Sequence, residues 1–318
     1  MMNVLRRGHT ALQTEPAGPG WRPDADVIWI DLLRPTREEE LAVEAALGLE
    51  LPTIEEMEAL EPSSRLYQES GATFMTVSLL RHGGGEIAPF ATPATFVLAS
   101  GMLITLRYED LKAFALYSER APSSAVGSGS AALLGLLDAI VERVAQVLDG
   151  TGDSVEQVSQ AIFKRPNGGD FRPLLTGLAA AQSVTSLIRT TLVSLARLLS
   201  YAALAPEIGG DPECKAHLES LQRDVQSLTD HTGHLSSQLS FLLDAALGLI
   251  NIEQNGIIKF FSVVAVVFMP PTLVASIYGM NFAILPELHW RFGYPMALML
   301  MVVVGVLPVV WFKRRGWL

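Results

Sequence analysis

Cysteine is almost missing: Cys214 is the only one in 318 residues. A single thiol excludes an internal disulfide and fits a reducing compartment. Charge is scarce as well, at 18% of residues against 49% hydrophobic, a balance too apolar for an ordinary soluble enzyme. The scarcity is local, because residues 260–278 and 294–312 carry no charged side chain at all. Arg6 and Arg7 are not followed by an apolar stretch, so no signal peptide is expected. Catalytic signatures are missing too. "HGGGE" (82–86) resembles an esterase oxyanion turn, but no G-x-S-x-G accompanies it, which leaves a hairpin turn. "GSGSAALLG" (127–135) is not G-x-G-x-x-G and reads as a linker running into a helix. No ATP site is found. Asp230, His231 and His234 bring two imidazoles to i, i+3 spacing, but without a further ligand pair they read as a solvated helix face. Cys214 with His217 is a weaker metal candidate still. The formal net charge of −10 argues against nucleic acid as a partner and is compatible with divalent cations.

What is present is concentrated at the C-terminal end. Each charge-free run is about 19 residues long, the length a helix needs to cross roughly 30 Å of hydrocarbon. A helix pair buried in a soluble core would normally keep a polar face. Lys259 precedes the first run, and Lys313, Arg314 and Arg315 follow the second. The positive-inside rule then puts both ends in the cytoplasm and the loop from about 280 to 293 outside. Trp290, Tyr294, Trp311 and Trp317 stand at interfacial positions.

Residues 1–25, rich in Pro and Gly, read as a poorly ordered lead-in. An α/β domain is expected over 26–121. "DVIWIDLL" (26–33) reads as a buried strand, and "PTREEELAVEAALG" as a helix with a Thr36–Glu39 capping box. "ATFMTVSLL", "TPATFVLAS" and "MLITLRY" are short, β-branched and bounded by Gly or Pro, as strands are. "EDLKAFALYSE" returns to helix. "APSSAVGSGSA" (121–131) is a flexible connection, and helices are expected over roughly 131–164 and 172–204, a hairpin domain of 122–210. A stalk helix then covers 211–259, followed by a first span at 260–279, an external loop at 280–293, a second span at 294–312 and a basic tail at 313–318. The fold class is thus an α+β membrane protein whose stalk continues into the first span.

The stalk carries the best periodic signal. Leu218, Leu221, Val225, Leu228, Thr232, Leu235, Leu239, Leu242, Ala246 and Leu249 alternate in steps of 3 and 4, a heptad seam suited to assembly. Further on, Asn255, Ile258, Ser262, Ala265, Met269, Thr272 and Ser276 keep the same alternation but are small and polar for a membrane span. Small and hydroxyl residues serve tight helix packing in lipid. They also line pores, where oxygen-bearing side chains alternate with apolar constrictions. The stripe starts at a carboxamide, Asn255, and ends shortly before another, Asn281, which favours the pore. Two spans per chain cannot enclose a pathway, so a channel requires a ring of identical subunits.

The stretch "NIEQNGIIKFFSVVAVVFMPPTLVASIYGMNF", then "LPELHWRFGYP" and "FKRRGWL", resembles the CorA magnesium/cobalt transporter family in its proteobacterial form. The match is strong over about 240–318, and the order of elements before it agrees. The resemblance implies a funnel-shaped homopentamer in the bacterial inner membrane, with both termini cytoplasmic and membrane lipid around the spans. It implies no enzyme activity and no cofactor, with Mg²⁺ as both transported and regulatory ion and Co²⁺ and Ni²⁺ as further cargo. Gly279, Met280 and Asn281 would form the external selectivity site, beside Tyr278 and the loop acid Glu287. Asn255, Ile258, Phe261, Met269 and Thr272 would line the pore, with Ile258 and Phe261 at the apolar gate. Where the family often has a Glu after "GMNF", Ala283 stands here. The zinc-transporting ZntB branch shares Gly-Met-Asn but tends to a glycine-rich loop, unlike "FAILPEL". Closure by internal Mg²⁺ needs acids between cytoplasmic domains. Glu219 and Asp224 on the stalk are candidates, weighed against plain solvated charges. Glu253, near the inner mouth, is a candidate for a cation-attracting ring and equally for a helix-surface acid.

Overall fold

A computed structural model of the chain describes residues 1–7, 13–15, 20–59, 65–81, 89–120, 127–164, 170–280 and 290–316. The chain divides into two units, Met1–Lys164 with Arg172–Leu243, and one that includes Asp244–Leu318. "HGGGE", the first six residues of the 121–131 connection and Trp317 lie outside the described residues.

The first unit is built on a seven-stranded sheet in the order β2-β1-β3-β7-β6-β5-β4. Its strands are β1 (Met2–Arg6), β2 (Gln13–Glu15), β3 (Val27–Leu33), β4 (Leu66–Glu69), β5 (Ala72–Arg81), β6 (Phe90–Ala99) and β7 (Met102–Arg107). Only the β3–β7 pair is parallel; the other neighbours are antiparallel. β3 and β7 lie in the middle and are covered on both faces, which is why "VIWIDLL" and "MLITLR" read as nearly unbroken apolar runs. The exception, Asp31, is buried but fully answered. Arg107 meets both of its oxygens at 3.1 and 2.8 Å, and the Thr105 hydroxyl donates to it at 2.8 Å. The Arg107 guanidinium also lies 4.4 Å from the centre of the Phe114 ring.

The lead-in expected to lack order instead contributes β1 and β2 to one side of this sheet. Met2 and Val4 are buried in the core, so hydrophobic anchoring to β3 outweighs the Pro and Gly around it. The short β4 and the helix α2 (Ile54–Ala59) are likewise additional to the expected elements.

The helix α1 (Arg37–Leu47) begins with the anticipated box: Thr36 accepts from the Glu39 N–H, and Glu39 accepts from the Thr36 N–H. After β7 come α3 (Lys112–Arg120), α4 (Gly129–Phe163), α5 (Arg172–Ala202), the single turn α6 (Pro206–Gly209), α7 (Pro212–Tyr278) and α8 (Gly293–Arg314). The start of α4 explains part of the glycine-rich linker. Ser128 caps the helix through the Ala131 N–H, and a Cβ on Gly129 would fall 2.4 Å from the Met102 carbonyl carbon. Only glycine lets the helix end approach the β6–β7 hairpin so closely.

The heptad seam has a different use from the one expected. Leu218, Leu221, Val225, Thr232, Leu235, Leu239 and Leu242 are all at most 3% exposed within one chain. Around them α7 meets both arms of the α4–α5 hairpin, with His217 to Asp138 at 2.5 Å and Gln222 donating to the Leu199 carbonyl at 3.4 Å. The seam is a core of the single protomer, not a free surface for assembling protomers. A 3–4 alternation buries a stripe whichever helices lie against it.

Candidate functional site

Among the described residues, α7 and α8 are the two helices long and apolar enough to cross a membrane. Within the second unit, the two faces of α7 behave differently. Val263, Val264, Val267, Pro270, Pro271, Val274 and Tyr278 are half-buried. Their side of the helix meets α8 at Gly305, where a Cβ would lie 3.3 Å from Pro271 Cγ and 3.6 Å from the Val267 carbonyl oxygen. The expected lining residues Asn255, Ile258, Phe261, Ser262, Ala265, Met269, Thr272 and Ser276 are all exposed. Ala265 stands two residues from Val267, and Met269 two from Pro271, which is about 200° around the helix axis. The small-polar stripe thus lies on the opposite side of α7 from α8. It is not what packs α7 and α8 of one chain together.

The Ser262 and Thr272 hydroxyls of the stripe are oriented by the helix itself. Ser262 Oγ donates to the Ile258 carbonyl at 2.8 Å, and Thr272 Oγ1 donates to the Phe268 carbonyl at 2.7 Å. With the proton spent on the backbone, each oxygen keeps its lone pairs to accept a hydrogen bond. A side chain that accepts but does not donate suits the water hydrogens of a hydrated cation.

The motif "MPPT" supplies a feature the sequence reading passed over. Pro270 and Pro271 lie inside α7 and lack N–H groups, so the carbonyls of Val266 and Val267 lose the partners a regular helix would give them. The glycine opposite, Gly305, brings α8 up to that break. The double proline was a legible signal; its neighbour across the hairpin was not.

α7 ends at Tyr278, and the turn that follows starts with the Gly279 N–H on the Ala275 carbonyl at 2.9 Å and the Met280 N–H on the Ile277 carbonyl at 3.3 Å. A Cβ at Gly279 would come 3.1 Å from the Ala275 oxygen, so glycine lets the chain leave the helix tightly. Met280 is half exposed. Asn281, Ala283, Glu287 and His289 lie outside the described residues. At the far side of the loop, Trp290 and Phe292 contact edge to face at 6.1 Å, and Tyr294 and Trp311 are exposed, as interfacial aromatics are.

The two stalk candidates are not gathered into one site within the first unit. Glu219 and Asp224 are five residues apart on α7, about 140° around the axis, and both are exposed; Glu253 belongs to the other unit. Asp224 lines an open groove of about 540 Å³ with Asp138, Glu142 and Arg120. Two of these acids are already partnered, Glu142 by Arg120 at 2.7 Å and Asp138 by His217. Nearby, burial pushes the Tyr117 hydroxyl up to about 12, and the charge on Asp138 adds to the effect. At the start of α7, the N–H of Glu213, donated to Asp211 at 2.9 Å, holds that carboxyl below its usual range. Among the described residues no three His, Cys, Asp or Glu side chains are grouped to hold a metal. Asp230, His231 and His234 are exposed on α7.

The comparisons with known proteins agree with this geometry. The family model described as CorA-like Mg2+ transporter protein matches residues 24–314. The magnesium transport protein CorA of Escherichia coli K12 is 38% identical over 299 residues, 93% of this chain and 94% of that protein. The protein of the same name from Salmonella typhimurium is 38% identical over 295 residues, 92% of each. Among solved structures, the complete CorA magnesium transporter of Methanocaldococcus jannaschii superposes with a TM-score of 0.79 at 20% identity, over 100% of this chain and 99% of that one. The full-length CmaX protein follows at 0.74 and 17%, covering 99% and 97%; at such identities these two speak for the fold. With a family model spanning nearly the whole sequence and relatives this similar, the chain belongs to the CorA-like Mg2+ transporter family.

Proposed function

We propose that this protein is a channel-like transporter of divalent cations, taking up Mg²⁺ and also Co²⁺ and Ni²⁺, as a homopentamer in the bacterial inner membrane with both termini cytoplasmic. One observation carries the reading: the small-polar stripe of α7 is exposed and turned away from α8. In a ring of chains that stripe would face the axis. Ile258 and Phe261 would then form an apolar constriction that closes by dewetting, and Asn255 would stand at its cytoplasmic end.

Mg²⁺ dehydrates reluctantly and prefers octahedral oxygen geometry. A ring of Asn281 carboxamides at the mouth would accept hydrogen bonds from the ion's water shell without stripping it. The tight turn at Gly279 would present that ring, with Met280 beside it. Carboxylates in the same place would hold the ion harder and release it more slowly. Thr272 and Ser262, with their protons turned to the backbone, would continue the same recognition inward. Glu287 is the loop acid left to draw cations to the mouth. The membrane potential suffices as driving force: two charges crossing 100 mV gain about 4.6 kcal/mol. Internal Mg²⁺ would close the ring by bridging acids of neighbouring subunits, with Glu219 and Asp224 as stalk candidates and Glu253 at the inner mouth.

Zinc/proton transport is the rival. The solved ZntB cytoplasmic domain from Vibrio parahaemolyticus shares the fold at a TM-score of 0.60 and 10% identity, which carries no ion preference. The test is flux into sealed liposomes holding the purified protein, read with a Mg²⁺-sensitive dye under an inside-negative potential. Mg²⁺ entry is expected and should collapse in Asn281→Ala. Zn²⁺ entry under a proton gradient with no Mg²⁺ flux would reverse the assignment. No flux of either ion would leave the spans as the anchor of a cytoplasmic sensor.

A further inference from the structure

The first unit carries a groove, walled in part by Leu66 and Val193, that the transport reading does not use. It is a hollow of about 340 Å³ between the outer strands β4 and β5 and one face of α5. Three arginines line it, Arg65 from the strand side and Arg189 and Arg197 from α5. No carboxylate stands among the described residues of its wall, although the chain as a whole is acidic at −10. Arg189 and Arg197 are exposed and have no ion pair with any described residue.

The hydroxyls between them complete a donor set. Ser194 Oγ accepts the Ser78 N–H at 3.0 Å, and Ser78 Oγ accepts Arg65 Nη1 at 2.8 Å. Each serine oxygen is thereby fixed in place and keeps its own O–H to donate. Ser186 lies one turn before Arg189 on the same helix face. The two threonine hydroxyls in the wall are already spent on other partners. The groove therefore offers guanidinium forks and serine O–H groups as donors, with the Thr190 oxygen among its acceptors and no carboxylate in its described wall. Such a set matches the oxygens of a phosphoryl group, which guanidinium binds in two-point fashion.

Spacing narrows the ligand. Arg189 and Arg197 are eight residues apart, about 12 Å along the helix, with Ser194 between them. Forks set that far apart suit an anion with several phosphoryl groups in a row better than a single phosphate. A hollow of this size takes a small molecule, not a folded partner. We propose that this groove binds a small polyphosphate anion, either free or as the head of a phosphorylated metabolite or lipid, with Arg189 and Arg197 gripping its two ends and Ser194 its middle.

The test uses the full-length protein in detergent, in buffer free of divalent cations so that chelation plays no part, with inorganic tripolyphosphate titrated by calorimetry. Binding is expected, weaker for orthophosphate and falling as salt rises. The double variant R189Q/R197Q should lose about tenfold or more, since each charge-assisted contact exceeds the roughly 1.4 kcal/mol that a factor of ten represents. The exposed Lys112→Gln outside the groove should change nothing. R189K/R197K keeps the charge without the fork; wild-type affinity there would mean plain counter-ion attraction and overturn the site. No heat with tripolyphosphate, or equal affinity in R189Q/R197Q, overturns it as well. Vesicles of anionic phospholipid that compete in an Arg189- and Arg197-dependent manner assign the groove to a lipid head; their failure to compete assigns it to a free anion. No ion flux enters the assay, so its outcome is independent of the transport reading.

Discussion

Replacing Leu221 by Ala asks directly what the heptad seam of α7 holds together. Leu221 is 1% exposed in the single chain, on the side of α7 where His217 and Gln222 reach α4 and α5. Truncating a leucine in a packed core removes its transfer free energy and leaves a cavity, about 3–5 kcal/mol together. For a unit of this size each kcal/mol lowers the midpoint by about 2–4 °C, so even the low end predicts a fall of roughly 6–12 °C. Because the seam is internal to a protomer, that fall should be the same across a hundredfold range of protein concentration. Native mass spectrometry below the transition should find the wild-type number of subunits. Ser237→Ala, on the exposed side of the same helix, should stay within about 0.5 kcal/mol of wild type. The reasoning fails if Leu221→Ala protomers separate on dilution while keeping the wild-type midpoint, because the seam would then join subunits.

Two further substitutions probe the membrane unit. Gly305→Ala should be tolerated, since its Cβ would sit 3.3 Å from Pro271 Cγ and a small shift relieves it; Gly305→Leu should overpack the contact by about 1–3 kcal/mol and lower both thermal stability and Mg²⁺ flux, and a leucine variant indistinguishable from wild type would refute the close approach of α8. Thr272→Val keeps the shape of the side chain and removes the oxygen that is turned outward by its bond to the Phe268 carbonyl; Mg²⁺ flux should fall severalfold with assembly unchanged and return in Thr272→Ser, while full flux in the valine variant would mean that Thr272 does not face the ion path.

The candidate stripe could be proposed from the sequence because membranes impose simple rules on it. A span must be apolar over about 20 residues, so hydroxyls tolerated inside it stand out, and Ser262, Thr272 and Ser276 could be read as one stripe that Asn255, just before the span, begins. The lead-in was misread because a burial argument needs a partner: Met2 and Val4 are buried only because β3 lies beside them, 25 residues further on. The role of the seam was misread for the same reason. Periodicity reports that a face is buried, not by what, and here the seam is buried within the chain, with α4 and α5 of the same chain reached at its start. The polyphosphate groove left no linear pattern at all, since Arg65 and Arg197 are far apart in the chain and meet only across a strand and a helix.

By itself the sequence determined the local chemistry: two apolar helices of membrane-spanning length, a long helix leading into the first of them, a capped α1 and a glycine turn after Tyr278. These follow from residue periods of 2 and 3.6 and from local hydrogen bonds. Tertiary structure decided which face of each helix is used. It turned the valines and prolines of α7 toward Gly305 and left Ala265, Met269 and Thr272 on the opposite side. The reason is geometric: a helix offers several faces at once, and only packing against distant parts of the chain chooses among them.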